Sequence, residues 1–309
     1  MNDTTATKKT ARPASTDSET VVETGRKPFL PIATVEQRLG DLGRQLPVGV
    51  PVAGRYQRDF TLRKFTFEQE RLIGEARSRI RGLTIGRYVS EIMSVLVKSV
   101  GPHDFDAMEP RQRIFTINQM QLGDVQVMYL WARIDSVGSE LAMSLACPSC
   151  RHKYDFVANL NDLDVKSLQG DAEVDLEFDF DLRDGIEIAG ATRNWLRCGP
   201  VTWGALDVPG VNSENALANP ATREAAIIRG AVHGVDGMPG PYALLRGDIG
   251  QLSKWDKEGL ISVLTDRMFG PNMVVDDECP VCQEELYQMM PWTFETFFTR
   301  SSRSIAKRS

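Results

Sequence analysis

The sequence predicts an α+β protein of two similar half-domains joined at a four-cysteine zinc site, and three observations carry that prediction. Segments with helical spacing of apolar residues give way to segments that alternate with a period of two. Landmarks recur: a shift of 132 positions lays Asp124, Gly138 and Cys147-Pro148-Ser149-Cys150 on Asp256, Gly270 and Cys279-Pro280-Val281-Cys282 without a gap. The two CPxC segments between them supply four thiols, the donor set of a closed tetrahedral site.

The elements follow in order. Residues 1 to 27 are rich in Thr, Ser, Ala and Lys and bury too little apolar surface to offset ordering entropy, so they read as a flexible tail. From Arg55 a strand carrying Phe60 and Leu62 leads to a helix near Phe67, with Thr66 and Gln69 at capping-box spacing. Ile85, Tyr88, Val89, Ile92, Met93 and Leu96 mark a second helix, stopped by Gly101-Pro102. Asp124 opens a third, with Met128, Trp131, Ala132 and Ile134 inward and Gly138 as its left-handed end. Leu141, Met143 and Leu145, then Tyr154, Phe156 and Ala158, alternate on either side of the first CPxC turn, which places its cysteines between two strands. Val174, Leu176, Phe178, Phe180 and Leu182 then alternate with Glu173, Asp175, Glu177, Asp179 and Asp181, an unbroken half-buried strand turning at Arg183-Asp184-Gly185. Trp195 and Leu196 begin the next strand. Upstream of the cysteines the repeat continues at a slightly longer shift, Leu62-Arg63 meeting Leu196-Arg197, and Ile92 with Val97 meeting Ile227 with Val232. The organisation is a tail (1–27), a first half with the CPSC turn (28–165), an acidic hairpin (166–190), a second half with the CPVC turn (191–298) and a basic tail (299–309).

Composition narrows the function. With 309 residues and 42% hydrophobic side chains the chain can bury real cores. No apolar run reaches eighteen residues, and the N-terminus lacks the basic and apolar regions of a secretory signal, so synthesis in the cytoplasm and no membrane contact are expected. A net charge of −6 disfavours phosphate neutralisation on nucleic acid and favours protein partners. No phosphate loop, HExxH or GxSxG occurs, and neither an enzyme nor a small-molecule substrate is expected.

Cys147, Cys150, Cys279 and Cys282 are the candidate metal ligands, for one structural Zn²⁺ per chain; with every position filled by thiolate, none is left for a catalytic water. The rival for CPSC is the redox turn of thioredoxin-like proteins, where the first cysteine caps a helix, but Arg151 to Leu160 alternates like a strand. A zinc-ribbon adaptor that touches nucleic acid is the other alternative, for which Arg151-His152-Lys153 is a short basic run. Cys198 reads as a small buried residue. His152 is a substitute ligand or an exposed strand histidine. The five carboxylates from Glu173 to Asp181 are a solvated face or a dock for a basic partner; spread along a strand, they do not suit calcium. Trp292, Phe294, Phe297 and Phe298 either anchor a neighbouring subunit or close the core beneath the second turn.

Leu46-Pro47-Val48, Gly54, the run FTLRKFTFEQERLI from Phe60 to Ile73 and the run GDVQVMYLWARIDSVGSELAMSLACPSC from Gly123 to Cys150 resemble the T-even phage baseplate protein family, which includes baseplate hub assembly proteins and relatives in contractile tails and phage-tail-like injection systems. The resemblance spans about residues 45 to 165 and is most specific from Leu130 to Cys150. It implies a component or assembly factor of a tail baseplate, bound to other baseplate or tail proteins and acting on no substrate. The polar N-terminal tail and the second CPxC half depart from the pattern.

Overall fold

The computed structural model describes residues 26–79, 84–207, 220–238 and 240–290; the expected tails at 1–25 and 299–309 and the aromatic group from Trp292 to Phe298 lie outside them. In chain order the elements are β1 (Thr34–Arg38), α1 (Leu39–Leu42), β2 (Gln45–Val52), β3 (Arg55–Leu62), α2 (Phe67–Arg79), α3 (Ile85–Leu96), β4 (Val97–Val100), β5 (His103–Asp104), α4 (Pro110–Gln119), α5 (Leu122–Val137), β6 (Glu140–Ala146), β7 (Lys153–Asn159), β8 (Asp164–Leu168), β9 (Phe178–Ile188), β10 (Ala191–Cys198), α6 (Pro220–Ala231), β11 (Val232–Val235), α7 (Arg246–Ile249), α8 (Lys254–Asp266), β12 (Gly270–Pro271), β13 (Val274–Glu278) and β14 (Glu285–Met289). Helices and sheets are mixed along the chain, in keeping with the predicted class.

The sheets are small and antiparallel: β2-β3-β4-β5, β9-β10-β11, β1-β8-β12 and the hairpins β6-β7 and β13-β14. One large core runs through most of them, with Tyr129, Phe105, Phe178 and Trp203 among its fully buried side chains. Trp203 ties the segment after β10 into it, its indole N–H donating to the Gly86 carbonyl at 2.9 Å.

The same registers recur along the chain. In β2-β3, Gln45 faces Asp59 and Val50 faces Gln57, so four residues bulge against one. In β9-β10, Asp181 faces Trp195 and Ile186 faces Arg193, the same bulge 136 residues on. Ala53-Gly54 and Ala189-Gly190 close these hairpins, all four with positive φ between 50° and 80°, the two-residue turn that matches strand twist. The next ladders shift register between Thr61 and Leu62 and between Arg197 and Cys198. Past α5 and α8 the offset is 132: Ala142 faces Val157 as Val274 faces Met289, and Ala146 faces Lys153 as Glu278 faces Glu285.

These registers correct several expectations. Phe60, not Leu62, occupies the place of Leu196. The turn expected at Arg183-Asp184-Gly185 is the bulge within β9, and the turn lies at Ala189-Gly190, since Gly185 at φ +72 serves an extra loop of strand rather than a reversal. Residues 166–190 do not form a hairpin of their own: β8 pairs with β1 and β12, while β9 pairs with β10. The ladder of β9 begins only at Phe178, so the strand expected from Glu173 is unpaired over its first half. Asp179 is not a solvated carboxylate; it is buried beneath Arg197, whose Nε and Nη2 donate to it at 2.9 and 3.1 Å. Lys27, placed in the tail by composition, is bound to the same row. The helix α3 ends not at Gly101 but by passing straight into β4 at Val97, whose β-branched side chain suits a strand.

Two buried carboxylates hold the bulges to the helices. Asp124 of α5 accepts from the N–H groups of Val48 and Gly49 at 2.9 and 3.0 Å, and Asp256 of α8 accepts from those of Arg183 and Asp184 at 2.6 and 3.1 Å. A bulge leaves N–H groups outside the ladder, and burial requires an acceptor for them. Arg58 supplies donors for the carbonyls of Pro47 and Leu168 at 3.0 and 2.6 Å. Where α5 crosses β12 the backbones touch: a Cβ on Gly123 would lie 2.1 Å from the Phe269 carbonyl oxygen, so no larger residue fits.

Asp124→Asn and Asp256→Asn each turn an amide NH₂ toward a backbone donor. Each is expected to cost about 1–3 kcal/mol in denaturant unfolding, with near-additive effects because the two serve separate bulges. Burial lifts the Asp124 carboxyl to about 6, outweighing the Val48 and Gly49 N–H groups. The folded value exceeds the ordinary 3.8, so the folded chain holds this proton more tightly than the unfolded one. Its contribution to stability is therefore fully present below about pH 4 and is lost as pH rises through about 4 to 6; unfolding of Asp124→Asn measured across that window should lack the slope.

Candidate metal centre

Strand pair β6-β7 brings one CPxC segment to its tip and β13-β14 brings the other. In the first, Arg151 N–H donates to the Cys147 carbonyl at 3.0 Å and Cys147 N–H to the His152 carbonyl at 2.9 Å. In the second, Gln283 N–H donates to the Cys279 carbonyl and Cys279 N–H to the Glu284 carbonyl, both at 2.9 Å. Arg151 and Gln283, at φ 60° and 61°, make the same left-handed step after the second cysteine. These bonds fold each tip so that both sulfurs of a pair face one way.

The two tips meet. Cys147 Sγ lies 3.5 Å from Cys282 Sγ and Cys150 Sγ lies 3.6 Å from Cys279 Sγ, so each close pair joins the two hairpins. All four Sγ atoms lie within 4.8 Å of one another, and as a group they could hold a metal ion. A tetrahedron with metal–sulfur bonds of about 2.3 Å has edges of about 3.8 Å, so small shifts of the thiols suffice. Cys147 and Cys279 are buried with Leu286, and Tyr154 packs against them; Cys150 and Cys282 are exposed. Tyr154 also donates its hydroxyl to Asp277 Oδ2 at 2.8 Å, a second tie between the hairpins.

Backbone amides prepare the sulfurs for negative charge. The Cys282 N–H, then that of Val281, lower the Cys279 thiol to about 7 against the effect of burial. Cys282 is pushed up to about 12, the pull of the Glu284 N–H being outweighed by the neighbouring thiols and by burial. One thiolate forms readily in such a cluster and a second is resisted, a penalty that a divalent cation removes. Neither pair sits at a helix N-terminus, the setting that acidifies a thioredoxin-like cysteine; both lie between strands.

The remaining sequence candidates fall elsewhere. His152 stacks on Tyr154 with ring centroids 6.2 Å apart and is not in the sulfur group. Cys198 is fully buried in β10, and burial, then the charge of Asp179, push its thiol up to about 12, the state of a packed thiol rather than a nucleophile. His233 faces Glu177 at 3.0 Å. What sequence reasoning missed is the pair of buried carboxylates: Asp124 read as a helix opener and Asp256 as its counterpart in the repeat, and only the bulges explain them, though Gly49 and Gly185 were the signal.

Fold and cluster together define a protein of mixed helices and antiparallel sheets whose two hairpin tips converge on a tetrathiol site. Residues 49–189 match the family described as T4 bacteriophage base plate protein. The match begins at Gly49, the last bulge residue of β2, and takes in the first CPxC tip and β9; the second tip lies beyond it. No curated protein and no solved structure matches the chain. Among the described residues no helix is long and apolar enough to cross a membrane.

In metal-free, reduced protein, alkylation by iodoacetamide followed by peptide mass mapping should modify the cysteines of the cluster, where Cys150 and Cys282 are exposed and Cys279 is acidified, before it reaches Cys198. Cys198 should stay unmodified until the chain is unfolded.

Proposed function

We propose that the chain is a structural or assembly component of a contractile phage tail or phage-tail-like injection-system baseplate, acting through protein contacts and held by one structural Zn²⁺ on Cys147, Cys150, Cys279 and Cys282. The family match over residues 49–189 is the observation that carries this reading. It makes other baseplate or tail proteins the partners, and it favours a scaffold over a catalyst. Tetrathiolate donors and compact geometry favour zinc among divalent cations, and four protein ligands close the site to substrate.

The recurring registers support a chain of two similar half-domains, each running from a bulged hairpin through helices to a cysteine hairpin. On this reading the ion sits between the two halves, where the ligands of one are useless without the other. It contributes to stability by joining segments far apart in sequence, because the unfolded chain holds no such site.

Protein purified without added metal should contain about one zinc per chain by elemental analysis. Cys279→Ser should lose it and melt lower by more than about 10 °C, the scale expected for several kcal/mol in a chain of this size. A well-folded wild type without metal would refute the zinc centre. The baseplate role is tested separately: particles assembled from a genome lacking the chain should be without complete baseplates by electron microscopy, and intact, infective particles would overturn it.

A further inference from the structure

Glu173-Val174-Asp175-Leu176-Glu177 has the alternation of a strand but no ladder: the Glu173 N–H donates to the Gly54 carbonyl at 3.0 Å and the Val174 carbonyl accepts from the Tyr56 hydroxyl at 3.2 Å. A single bridge joins Ala172 to Arg55 just before it, and the ladder to β10 starts just after it, at Phe178. Among the described residues nothing accepts from the N–H groups of Val174, Asp175 and Leu176. An open edge of this kind is a template for another extended chain.

The segment lines a cleft of about 890 Å³ together with the β2-β3 hairpin at Val50 and Pro51 and the helix α4 at Phe115. Phe115 is 64% exposed and Val174 41% exposed, so the cleft offers apolar contact. Its charge is one-sided: Glu173, Asp175, Glu177 and Asp124 line it, against Lys27 and His103.

Lys27 displays what this wall recognises. Its ammonium donates to Asp175 at 2.8 Å and Glu177 at 2.5 Å, its backbone N–H donates to Asp179 Oδ2 at 2.7 Å, and its carbonyl accepts from the Asp179 N–H at 2.8 Å. An extended basic residue is thus held by main chain and side chain together. Arg26 lies further along the acid row, on Asp181 and over the Trp195 ring at 5.0 Å, which leaves Glu173 and the edge from Val174 to Leu176 uncovered by this strap.

We propose that residues 173–177 dock an extended basic segment of a partner tail protein, which adds as a strand to the open edge and sets lysine or arginine side chains against Glu173, Asp175 and Glu177. The identification of the partner as a tail protein rests on the baseplate reading; the strand-addition site does not, and its test leaves the zinc and particle experiments untouched. Glu173 sets specificity, since Asp175 and Glu177 are already shared with Lys27.

The probe is a fluorescein-labelled peptide alternating lysine and valine over six residues, titrated into the full chain by fluorescence polarisation at low salt. Saturable binding is expected, weakened about tenfold or more by Glu173→Lys, less by Glu173→Gln, and by raised salt. A peptide of the same charge with methylated backbone nitrogens should fail to bind, because strand addition needs its N–H groups. Glu258→Lys on α8, an equal change of charge elsewhere, should leave binding unaltered. Circular dichroism identifies any variant that has lost its fold, in which case Glu173→Gln is the deciding comparison. Absent or unsaturable binding, equal binding of the methylated peptide, or equal losses in Glu173→Lys and Glu258→Lys would each overturn the proposal.

Discussion

Two buried carboxylates set the geometry on which the structure depends. A bulged hairpin cannot be pressed against a helix while its surplus N–H groups lack an acceptor, since each orphan costs about as much as a hydrogen bond is worth. Asp124 and Asp256 remove that obstacle by accepting two N–H groups each. With them in place, α5 and α8 take fixed positions on their hairpins, and the strands that follow each helix start from fixed points. The cysteine tips are the far ends of those strands. Their meeting within 4.8 Å is a downstream result of carboxylates at the opposite ends of the helices.

The contact between Gly123 and Gly270 adds the second constraint. It lets α5 approach β12, which pairs with β8 and through it with β1. The first and last parts of the chain are therefore bound into one core, and the sulfur group lies where their two hairpins converge. The close pairs Cys147–Cys282 and Cys150–Cys279 each cross that junction. A metal there acts on the relation between hairpins more than on either hairpin alone.

Much of this was legible in the sequence, for identifiable reasons. The alternation of Leu141, Met143 and Leu145 survives as three buried residues of β6, because a two-stranded ribbon with one packed face must show period two. The shift of 132 from Asp124 to Cys150 held because no insertion separates these landmarks. Alternation failed at Glu173 to Glu177, where it reports an amphipathic extended chain and is silent on whether a neighbour exists to pair with it. It failed again at Arg183-Asp184-Gly185, where a glycine with positive φ serves a bulge as readily as a turn. The charge of Asp179 concealed its burial, since Arg197 lies too far along the chain for a local pattern to pair them.

The order in which the chain leaves the ribosome gives the sulfur group a history. Cys147 and Cys150 emerge well before Cys279 and Cys282, and at about 5–20 residues per second the interval is on the order of ten seconds. Throughout it the first pair has no opposite pair to close against, and β8 waits likewise for β12. The nascent chain thus carries an open dithiol hook that can become a clasp only once the second hairpin has been made, so the integrity of the clasp reports that both cysteine hairpins were synthesised.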